Sequence, residues 1–545
     1  MNNHSQFLGP RRNSSPCAKT LSARIAGVCG IVITASSLHA AVKPNSLFTE
    51  GAVLQQGIEI PVWGTANEGE KVTVKLNGQT ATTEATQGRW MVRLEQQKAG
   101  GPYELEVTGE NNVIAKNIMI GEVWLCSGQS NMQFALKGFP SLLSEAAQAN
   151  NPGLRFFTVG QNPSVLPASA IEGRWIGCTP QSAADFSATG YFFGRDLQKA
   201  VGVTVGLIRS ARGGTPAQAW TSLEGLEAEP ELAGYVAEIK QLIAAYPQAS
   251  AAYAGALVAF EKKNTEWNAN PESKAFKEAQ KLWSAETKKA LVSGVPLPPH
   301  PVVPKEMPKA PKPPYGYPGA SSVLYNGMIA PLVPFAIKGV VWYQGEGNNH
   351  KPAEYQTLFP RLIQDWRQKW GQNALPFLFV QLAPFKELSP EIREAQLVSW
   401  KKTPGTSMVV TVDVGDADDI HPKYKEPVGA RLALAARAIA YGERIIYSGP
   451  VFRTHTLEGD RVVLSFDHVG SGLIAKDGPL RGFSIAGADK NFRPATAEIQ
   501  GKRVLVSSPE VTAPVAVRYG WANVPDVNLF NREGLPASPF RTDVP

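Results

Sequence analysis

Residues 121–132 read GEVWLCSGQSNM, and this stretch decides the fold of the central part of the chain. The run VWLC at 123–126 is apolar without alternation, which is typical of a strand buried on both faces of a parallel sheet. A serine at the turn that follows lies at the carboxyl end of the sheet, where helix amides can face a reacting carbonyl group. Ser130 is therefore a candidate nucleophile, and a helix-capping serine is an equally good interpretation of this motif alone.

Strands and helices alternate on either side of this stretch. The sequence predicts apolar strands at 203–208, 339–343, 376–382 and 408–412, and helices at 183–200 and 352–370. This order indicates a mostly parallel sheet covered by helices, with a site at the carboxyl ends of its strands. Residues 223–320 interrupt the order with a helical part and a proline-rich part. We expect an insertion that folds over the core near a cleft, or one that only decorates the surface.

Shorter strand-like runs separated by turns fill both ends of the chain. Asn77-Gly78 between two alternating runs is a good hairpin signal. We therefore predict β-sandwich domains at 42–118 and 446–545 on either side of an α/β domain at 119–445.

Residues 1–41 have the features of an export signal. They carry four basic residues and no acid, followed by an apolar run at 25–34 and small residues. The run is short for a membrane span, so we expect cleavage and a periplasmic or secreted protein. A disordered extension or a retained anchor is the alternative. No later stretch is expected to span a membrane.

Charge and cysteine content narrow the classes of partner. The formal net charge is +7, and loss of the four basic leader residues leaves about +3. With no long basic run, this surplus gives no reason to expect a nucleic acid partner. Only Cys126 and Cys178 remain after the leader, too few for a disulfide framework or a zinc site. Whether these two cysteines pair is left open.

A histidine preceded by acids supplies a candidate base. Residues 418–422 read DDIHP, and an aspartate shortly before His421 can hold the imidazole tautomer while the other ring nitrogen faces a serine. A surface histidine in an acidic turn is one alternative. A metal site is another, because Asp413, Asp416, Asp418 and Asp419 crowd the same loop.

Two glycine-containing segments follow predicted strands and can supply hydrogen-bond donors. Residues 212–215 read RGGT, and glycine lets a backbone N–H approach a substrate closely. Residues 344–348 read QGEGN, and a side-chain amide there can donate as well. Each segment alone is more simply an ordinary glycine loop.

Taken together, these motifs resemble the sialate O-acetylesterase family of SGNH hydrolases, which is related to acetylxylan esterases. The matching stretches are 121–132, 213–216 (GGTP), 342–346 (WYQGE) and 419–422 (DIHP), with 324–332 and 393–396 (REAQ) beside them. The resemblance implies an α/β, flavodoxin-like parallel-sheet core and a serine carboxylic-ester hydrolase that needs no metal or organic cofactor. Its substrate would be an acetylated sugar or glycan, with sialic acid esters first and plant-polysaccharide esters close behind. The alternatives from other classes are a non-catalytic glycan-binding protein and a serine peptidase.

The resemblance also assigns roles to residues of this chain. Ser130 would attack the acetyl carbonyl and His421 would act as its base. The oxyanion would be held by the N–H groups of Ser130, Gly213 and Gly214 and by the Asn348 amide. The side chains expected to contact the substrate are Gln129, Gln344 and Glu346.

One position departs from the family pattern, and at another the pattern leaves a choice between two residues. The family commonly has serine where this chain has Gly347, a change expected to leave activity in place. The acid that orients His421 has two candidates. General SGNH spacing favours Asp418, which we prefer, whereas close relatives often keep an acid only at the position of Asp419. Orientation by a backbone carbonyl is a third possibility.

Overall fold

The N-terminal part of the described chain consists of strands. A computed structural model describes residues 41–293, 296 and 298–543, so the predicted export signal lies, apart from residue 41, outside the described residues. Asn77 and Gly78, both with positive φ, turn one strand into the next and form the predicted hairpin. The strands are β1 (Lys43–Pro44), β2 (Val53–Gln55), β3 (Ile60–Thr65), β4 (Lys71–Leu76), β5 (Gln79–Glu84), β6 (Arg89–Leu94), β7 (Gly100–Thr108) and β8 (Asn112–Gly128).

Strand β8 is shared between two parts of the sheet. Residues 112–120 pair with β7, and Met119, Ile120 and Gly121 pair with β2. From Glu122 onward the same strand pairs with strands of the central α/β region. The boundary predicted at residue 118 therefore falls inside one continuous strand.

Helices and strands alternate through the central region. The elements are α1 (Ser130–Gln133), α2 (Leu143–Gln148), β9 (Asn151–Thr158), β10 (Trp175–Cys178), α3 (Pro180–Asp185), α4 (Ala188–Val201), β11 (Val205–Ala211), α5 (Leu223–Glu227), α6 (Ala233–Ala269), α7 (Pro271–Ser293), β12 (Gly339–Tyr343), α8 (Pro352–Trp370), β13 (Phe377–Val380), α9 (Pro390–Lys402), β14 (Thr406–Val409) and α10 (Lys425–Tyr441).

These strands form a mixed sheet in the order β10-β9-β11-β8-β12-β13-β14. Every neighbouring pair is parallel except β10 with β9, which is antiparallel at the edge. Parallel strands bring their carboxyl ends to one edge, so the segments after β8, β11 and β12 meet there. The parallel core that the sequence predicts is present.

Two buried tryptophans show that helices cover both faces of the sheet. Trp124 of β8 packs against Phe193 of α4, and its indole N–H donates to the Tyr441 hydroxyl of α10. Trp342 of β12 packs against Trp366 of α8. Since Trp342 is in register with Ser127, three positions beyond Trp124, the two indoles point to opposite faces.

Element boundaries follow the sequence closely in some places and not in others. The helix at 352–370 and the strand at 339–343 are as predicted. The helix predicted at 183–200 is instead two helices, α3 and α4. The chain breaks between them because Ser187 caps α4, its hydroxyl accepting from the Gly190 N–H.

The insertion is helical and then irregular. Helices α6 and α7 are followed by a proline-rich segment without helix or strand in its described residues. The Glu238 carboxylate accepts from the Tyr317 hydroxyl and from the Ser321 N–H, which ties the end of the insertion to α6. By length and composition alone, Pro230–Ala269 resembles a membrane span, with mean hydropathy 1.2. This differs from the expectation that no such stretch follows the leader. Core helices of soluble proteins that meet the same criterion are mostly buried, whereas no residue of the 18-residue window that meets it here is buried.

The C-terminal part returns to strands and has a hydrophobic core of its own. Two four-stranded sheets, in the orders β15-β16-β21-β20 and β19-β18-β22-β24, lie beside a two-stranded pair, β17-β23. The strands are β15 (Val451–Glu458), β16 (Arg461–Asp467), β17 (Leu473–Ala475), β18 (Phe483–Ala486), β19 (Arg493–Pro494), β20 (Thr496–Gln500), β21 (Arg503–Ser507), β22 (Ala516–Tyr519), β23 (Leu529–Asn531) and β24 (Phe540–Arg541).

Candidate active site

Ser130 is the first residue of α1, and only Gln129 separates it from the end of β8 at Gly128. The turn before Ser130 requires glycine at position 128 for two reasons. Gly128 has a positive φ of 131°, and a Cβ at this position would lie 2.2 Å from the Tyr343 carbonyl oxygen. The same carbonyl accepts from the Gln129 N–H at 2.9 Å. Close contact between the ends of β8 and β12 thus fixes where the serine begins its helix.

The structure brings Ser130 and His421 together from opposite ends of the catalytic region. Ser130 Oγ and His421 Nε2 are 2.9 Å apart, within hydrogen-bond range. The exposed ring of Phe134, one helical turn after Ser130, lies with its centroid 4.6 Å from that of the imidazole. This arrangement provides a hydroxyl and a base for nucleophilic catalysis.

Asp419, and not Asp418, lies beside the histidine. Asp419 Oδ1 accepts from the His421 backbone N–H at 2.9 Å and lies 3.4 Å from ring Nδ1. Asp418 points away from the imidazole, with its side chain 84% exposed and paired with Lys386 at 3.1 Å. This corrects the preference for Asp418, because the turn directs successive side chains to different sides.

The surroundings of His421 favour its neutral form. Burial lowers the pKa of His421, and the nearby charge of Lys425 lowers it further, while Asp419 acts in the opposite direction. A general base must be unprotonated. Because its pKa is lowered, the imidazole stays neutral and able to accept a proton at lower pH than an ordinary histidine does.

Some of the candidate oxyanion donors already donate to an acceptor within the protein, and others do not. Within the described part of the chain, the N–H groups of Ser130 and Gly214 donate to no protein acceptor. The Gly213 N–H donates to Gln133 Oε1 at 2.7 Å, so it is not free for an oxyanion, contrary to expectation. Gly213 instead permits close packing, since a Cβ there would be 3.2 Å from Ser130 Cβ.

Asn348 keeps part of its donor capacity. Its Oδ1 accepts from the Ala217 N–H and from Gln344 Nε2, both at 2.8 Å. Its Nδ2 donates to Gln218 Oε1 at 3.1 Å. A carboxamide carries two N–H bonds, so one hydrogen of the Asn348 amide remains for another acceptor.

The three residues expected to contact substrate make internal hydrogen bonds instead. Gln344 is fully buried, with its amide between Asn348 and the Tyr355 hydroxyl. Gln129 is buried, and its Oε1 accepts from the Gly347 N–H at 3.1 Å. Glu346 directs Oε1 to Asn131 Nδ2 at 2.6 Å. All three residues follow β8 or β12, as predicted, but spacing along the chain does not show that their side chains turn inward.

Steric crowding explains why glycine stands at position 347. A Cβ at this position would lie 2.8 Å from the Thr215 carbonyl oxygen and 3.0 Å from Pro216 N. The departure from the family serine therefore lets the loops after β11 and β12 pack backbone against backbone.

The loop acids and the cysteines are accounted for without a bound ion. Arg431 pairs with Asp413 at 2.6 Å and Lys423 with Asp416 at 3.7 Å. Among the described residues, no group of three or more histidine, cysteine or acidic side chains is placed to hold a metal ion. The two described cysteines are buried free thiols, and burial raises the pKa of Cys126 to about 12.

Four residues near the reacting pair were not singled out by the sequence. Phe134 and Gln133 lie within the first turn after the serine, where helical spacing could have indicated them. Asn131 is buried beside the nucleophile, and Lys425 is fully buried four residues after the histidine. A lysine at the start of a helix ordinarily faces solvent, so its sequence context gave no signal.

Comparisons with known proteins agree with this fold. Residues 318–438 match the family model described as carbohydrate esterase, sialic acid-specific acetylesterase. The structure is similar to that of a carbohydrate acetylesterase from Xanthomonas citri, with a TM-score of 0.74 and 36% identity, covering 92% of this chain and 100% of that chain. The protein is therefore a carbohydrate esterase.

Sequence relatives narrow the class. The chain is 30% identical to the sialate O-acetylesterase of Rattus norvegicus and 31% identical to that of Mus musculus, in each case over 72% of both chains. It is 28% identical to the sialate O-acetylesterase of Homo sapiens over 88% of both chains. The chain belongs to the sialate O-acetylesterase family.

Proposed function

We propose that this chain is a sialate O-acetylesterase, which hydrolyses acetyl esters of sialic acid through an acetyl-serine intermediate. The observation that carries the proposal is the 2.9 Å contact between Ser130 Oγ and His421 Nε2. The names of its relatives support sialic acid as the substrate, and acetylated plant polysaccharide is the alternative.

The strand order supports an SGNH-type core. With β10 and its neighbour β9 at one end of the sheet set aside, the sheet reads β11-β8-β12-β13-β14. Numbered along the chain, this is the order 2-1-3-4-5 of flavodoxin-like folds. The flanking regions at 42–118 and 446–545 are proposed as β-sandwich domains, and the separate core of the C-terminal region supports the second of them.

Acylation follows from the proposed roles. As Ser130 Oγ bonds to the acetyl carbon, its proton passes to His421 Nε2 and the carbonyl electrons move onto oxygen. Collapse of this oxyanion expels the sugar oxygen, which takes the proton from His421. Asp419 stabilises the imidazolium ring from the Nδ1 side.

Deacylation repeats the path with water. Water attacks the acetyl carbon, His421 takes its proton, and release of acetate returns a proton to Ser130 Oγ. The N–H groups of Ser130 and Gly214 and the remaining hydrogen of the Asn348 amide are proposed to hold the oxyanion in both halves. Each such donor is worth about 2.7–4 kcal/mol of transition-state stabilisation.

The remaining sequence expectations complete the proposal. The leader supports export and a periplasmic or secreted enzyme. Its proposed partner is an acetylated sugar. We propose no nucleic acid partner and no membrane span once the leader has been cleaved.

The test is acetate release from 9-O-acetylated sialic acid and from acetylated xylan in parallel. Ser130→Ala is expected to lower kcat by at least about 10³-fold, because it removes the attacking oxygen. Ser127→Ala is the control, since that buried hydroxyl, three residues earlier in β8, has no hydrogen-bond partner among the described residues.

The outcomes separate the alternatives. Release from the sialic acid ester alone, lost in Ser130→Ala and kept in Ser127→Ala, would support the proposal. Release from xylan alone would replace the substrate. Wild-type rates in Ser130→Ala would remove the nucleophile assignment.

A further inference from the structure

Asn131 is joined to three other segments by its side chain. Its Nδ2 donates to Glu346 Oε1 at 2.6 Å and to the Ile420 carbonyl oxygen at 3.1 Å, and its Oδ1 accepts from Lys425 Nζ at 2.5 Å. Asn131 follows the nucleophile directly, and Ile420 precedes the base directly. One carboxamide therefore connects the helix of Ser130 to the loop of His421.

The two ions that hold this amide are themselves enclosed. Lys425 is fully buried, and its ammonium lies 5.4 Å from the ring centroids of Phe139 and Tyr343. The carboxylate of Glu346 has one oxygen on Asn131 and the other buried without a partner in the described part of the chain. Burying two opposite charges is costly unless they stabilise each other, and here they do so through the amide between them.

Only a carboxamide satisfies all three neighbours. A carboxamide can donate two hydrogen bonds and accept another at the same time. A carboxylate cannot donate, and an alkyl side chain can neither donate nor accept. Aspartate at this position would also place two acids in contact at Glu346. The residue type therefore matches a connecting function, which a simple space-filling role would not require.

We infer that Asn131, held between Lys425 and Glu346, is a positioning residue that fixes the distance and direction between Ser130 Oγ and His421 Nε2. The inference rests on the proposed function, and it adds to the catalytic pair a device that acts through the backbone of Ile420. Lys425 and Glu346 are positioning residues in the same sense, since each touches only Asn131 within this network.

Catalytic geometry is sensitive enough for such a device to matter. A displacement of about 1 Å between reacting groups can cost on the order of 10²-fold in rate. The Ser130 helix and the His421 loop are separated by 291 residues in sequence. Besides the contact between Ser130 and His421 themselves, the Asn131 hydrogen bond to the Ile420 carbonyl oxygen joins these two segments.

The decisive variant is Lys425→Met, which keeps most of the length of the side chain and removes its ammonium. We expect kcat to fall by about 10²-fold with KM changed less than about threefold, because positioning acts on the reacting atoms. The matched control is Lys338→Met, which removes an ammonium 4.9 Å from the Tyr441 ring centroid, outside the network. The control is expected to keep wild-type kcat.

A pH profile supplies a readout that loss of packing would not move. The charged groups that act on His421 are Asp419, on its own loop, and Lys425 at the start of α10. Burial lowers the pKa of Lys425 to about 7, so it is charged where the histidine titrates. Removing this charge raises the pKa of His421, and the acidic limb of kcat/KM moves to higher pH in Lys425→Met.

The assay uses p-nitrophenyl acetate and covalent labelling of Ser130 by a fluorophosphonate, with the full mature chain. Neither reagent depends on a sugar, so failure on sialic acid esters with normal labelling would reject the proposed substrate and leave the positioning test intact. A wild-type chain that reacts with neither reagent would reject the nucleophile and this inference together.

Folding of the variants is controlled by a second substitution. If Lys425→Met leaves Glu346 charged and unfolds the chain, Glu346→Gln/Lys425→Met removes both charges together. A folded double variant with kcat still reduced about 10²-fold supports the inference. Wild-type kcat in a folded Lys425→Met or double variant overturns it, as does a lowered kcat with an unmoved acidic limb. If neither variant folds, Glu346→Met alone decides, because it removes the oxygen that accepts from Asn131, and wild-type kcat in it also overturns the inference.

Discussion

One carboxylate oxygen serves two groups of His421. Asp419 Oδ1 lies 2.9 Å from the backbone nitrogen and 3.4 Å from ring Nδ1, so its contact with the ring is long. Its side chain is also 42% exposed, which lets water compete for the imidazole N–H. The aspartate therefore orients the ring less tightly than a buried triad aspartate does.

Asp419→Asn is expected to lower kcat by roughly 10- to 100-fold, less than the ~10⁴-fold of a buried triad aspartate. Asp418→Asn is the matched control and should stay within about twofold of the wild type, because its side chain pairs with Lys386 in solvent. Steady-state hydrolysis of p-nitrophenyl acetate measures both. A larger loss in Asp418→Asn would reverse the assignment.

At the residue scale, the sequence pointed to the two side chains that meet in the structure, Ser130 and His421, but not to the groups packed around them. Ser130 and His421 stand in motifs whose spacing carries chemical meaning, and they meet in the structure. The choice between Asp418 and Asp419 depends on which way each side chain leaves an irregular turn, and spacing does not specify that. Lys425 was not found because its burial depends on rings that lie far away in the sequence, Phe139 and Tyr343.

At the scale of elements, the loops after β11 and β12 meet with no room for a side chain. Gly347 lies against the Thr215 and Pro216 backbone, and its N–H is held by Gln129. The same loop carries Asn348, a candidate oxyanion donor. Steric change at Gly347 is therefore transmitted to the proposed oxyanion site.

Gly347→Ala is expected to lower both stability, by about 1–3 kcal/mol, and kcat, because the added methyl group meets backbone that must shift. Gly371→Ala provides a second glycine-loop variant for which a Cβ would meet open space, although its positive φ adds backbone strain. Urea denaturation and ester hydrolysis are measured together. An unchanged kcat in Gly347→Ala would show that the loop shift does not reach Asn348.

Elements with one dominant pattern were predicted well, and elements that change environment were not. The helix at 352–370 keeps one apolar face along its length, so its bounds follow from periodicity. Strand β8 was predicted only over its buried half at 123–127, since residues 112–116 alternate between exposed and less exposed positions as in a separate β-domain. The break between α3 and α4 was missed because Ser187 sits inside a continuous apolar pattern.

At the scale of the whole molecule, residues 393–396 connect the catalytic sheet to the C-terminal strands. Arg393 donates to the Asn523 carbonyl oxygen, and Glu394 forms a two-pronged pair with Arg541 at 2.8 Å. Gln396 accepts from the Leu382 N–H and donates to the Gln344 carbonyl oxygen, beneath the site. Residues 393–396, one of the stretches that resemble the family, thus bind both the central region and the C-terminal region.

Arg541→Met is expected to lower the free energy of unfolding by about 1.5–3 kcal/mol, because it leaves the buried Glu394 carboxylate without its charged partner. Arg481→Met is the control. It breaks an exposed pair with Asp526 and should cost no more than about 1 kcal/mol. Urea denaturation compares the two, and equal losses would show that the 394–541 pair does not stabilise the attachment.

Strand β8 limits how this protein can be recombined with others. Exchange of domains between proteins usually succeeds at exposed linkers, where few contacts cross the junction. A chimera joined at residue 118 would instead splice two halves of one strand, which pairs mainly with β7 before the junction and with β2, β11 and β12 after it. A chimera must therefore take the N-terminal strands and the segment that carries Ser130 from the same parent protein.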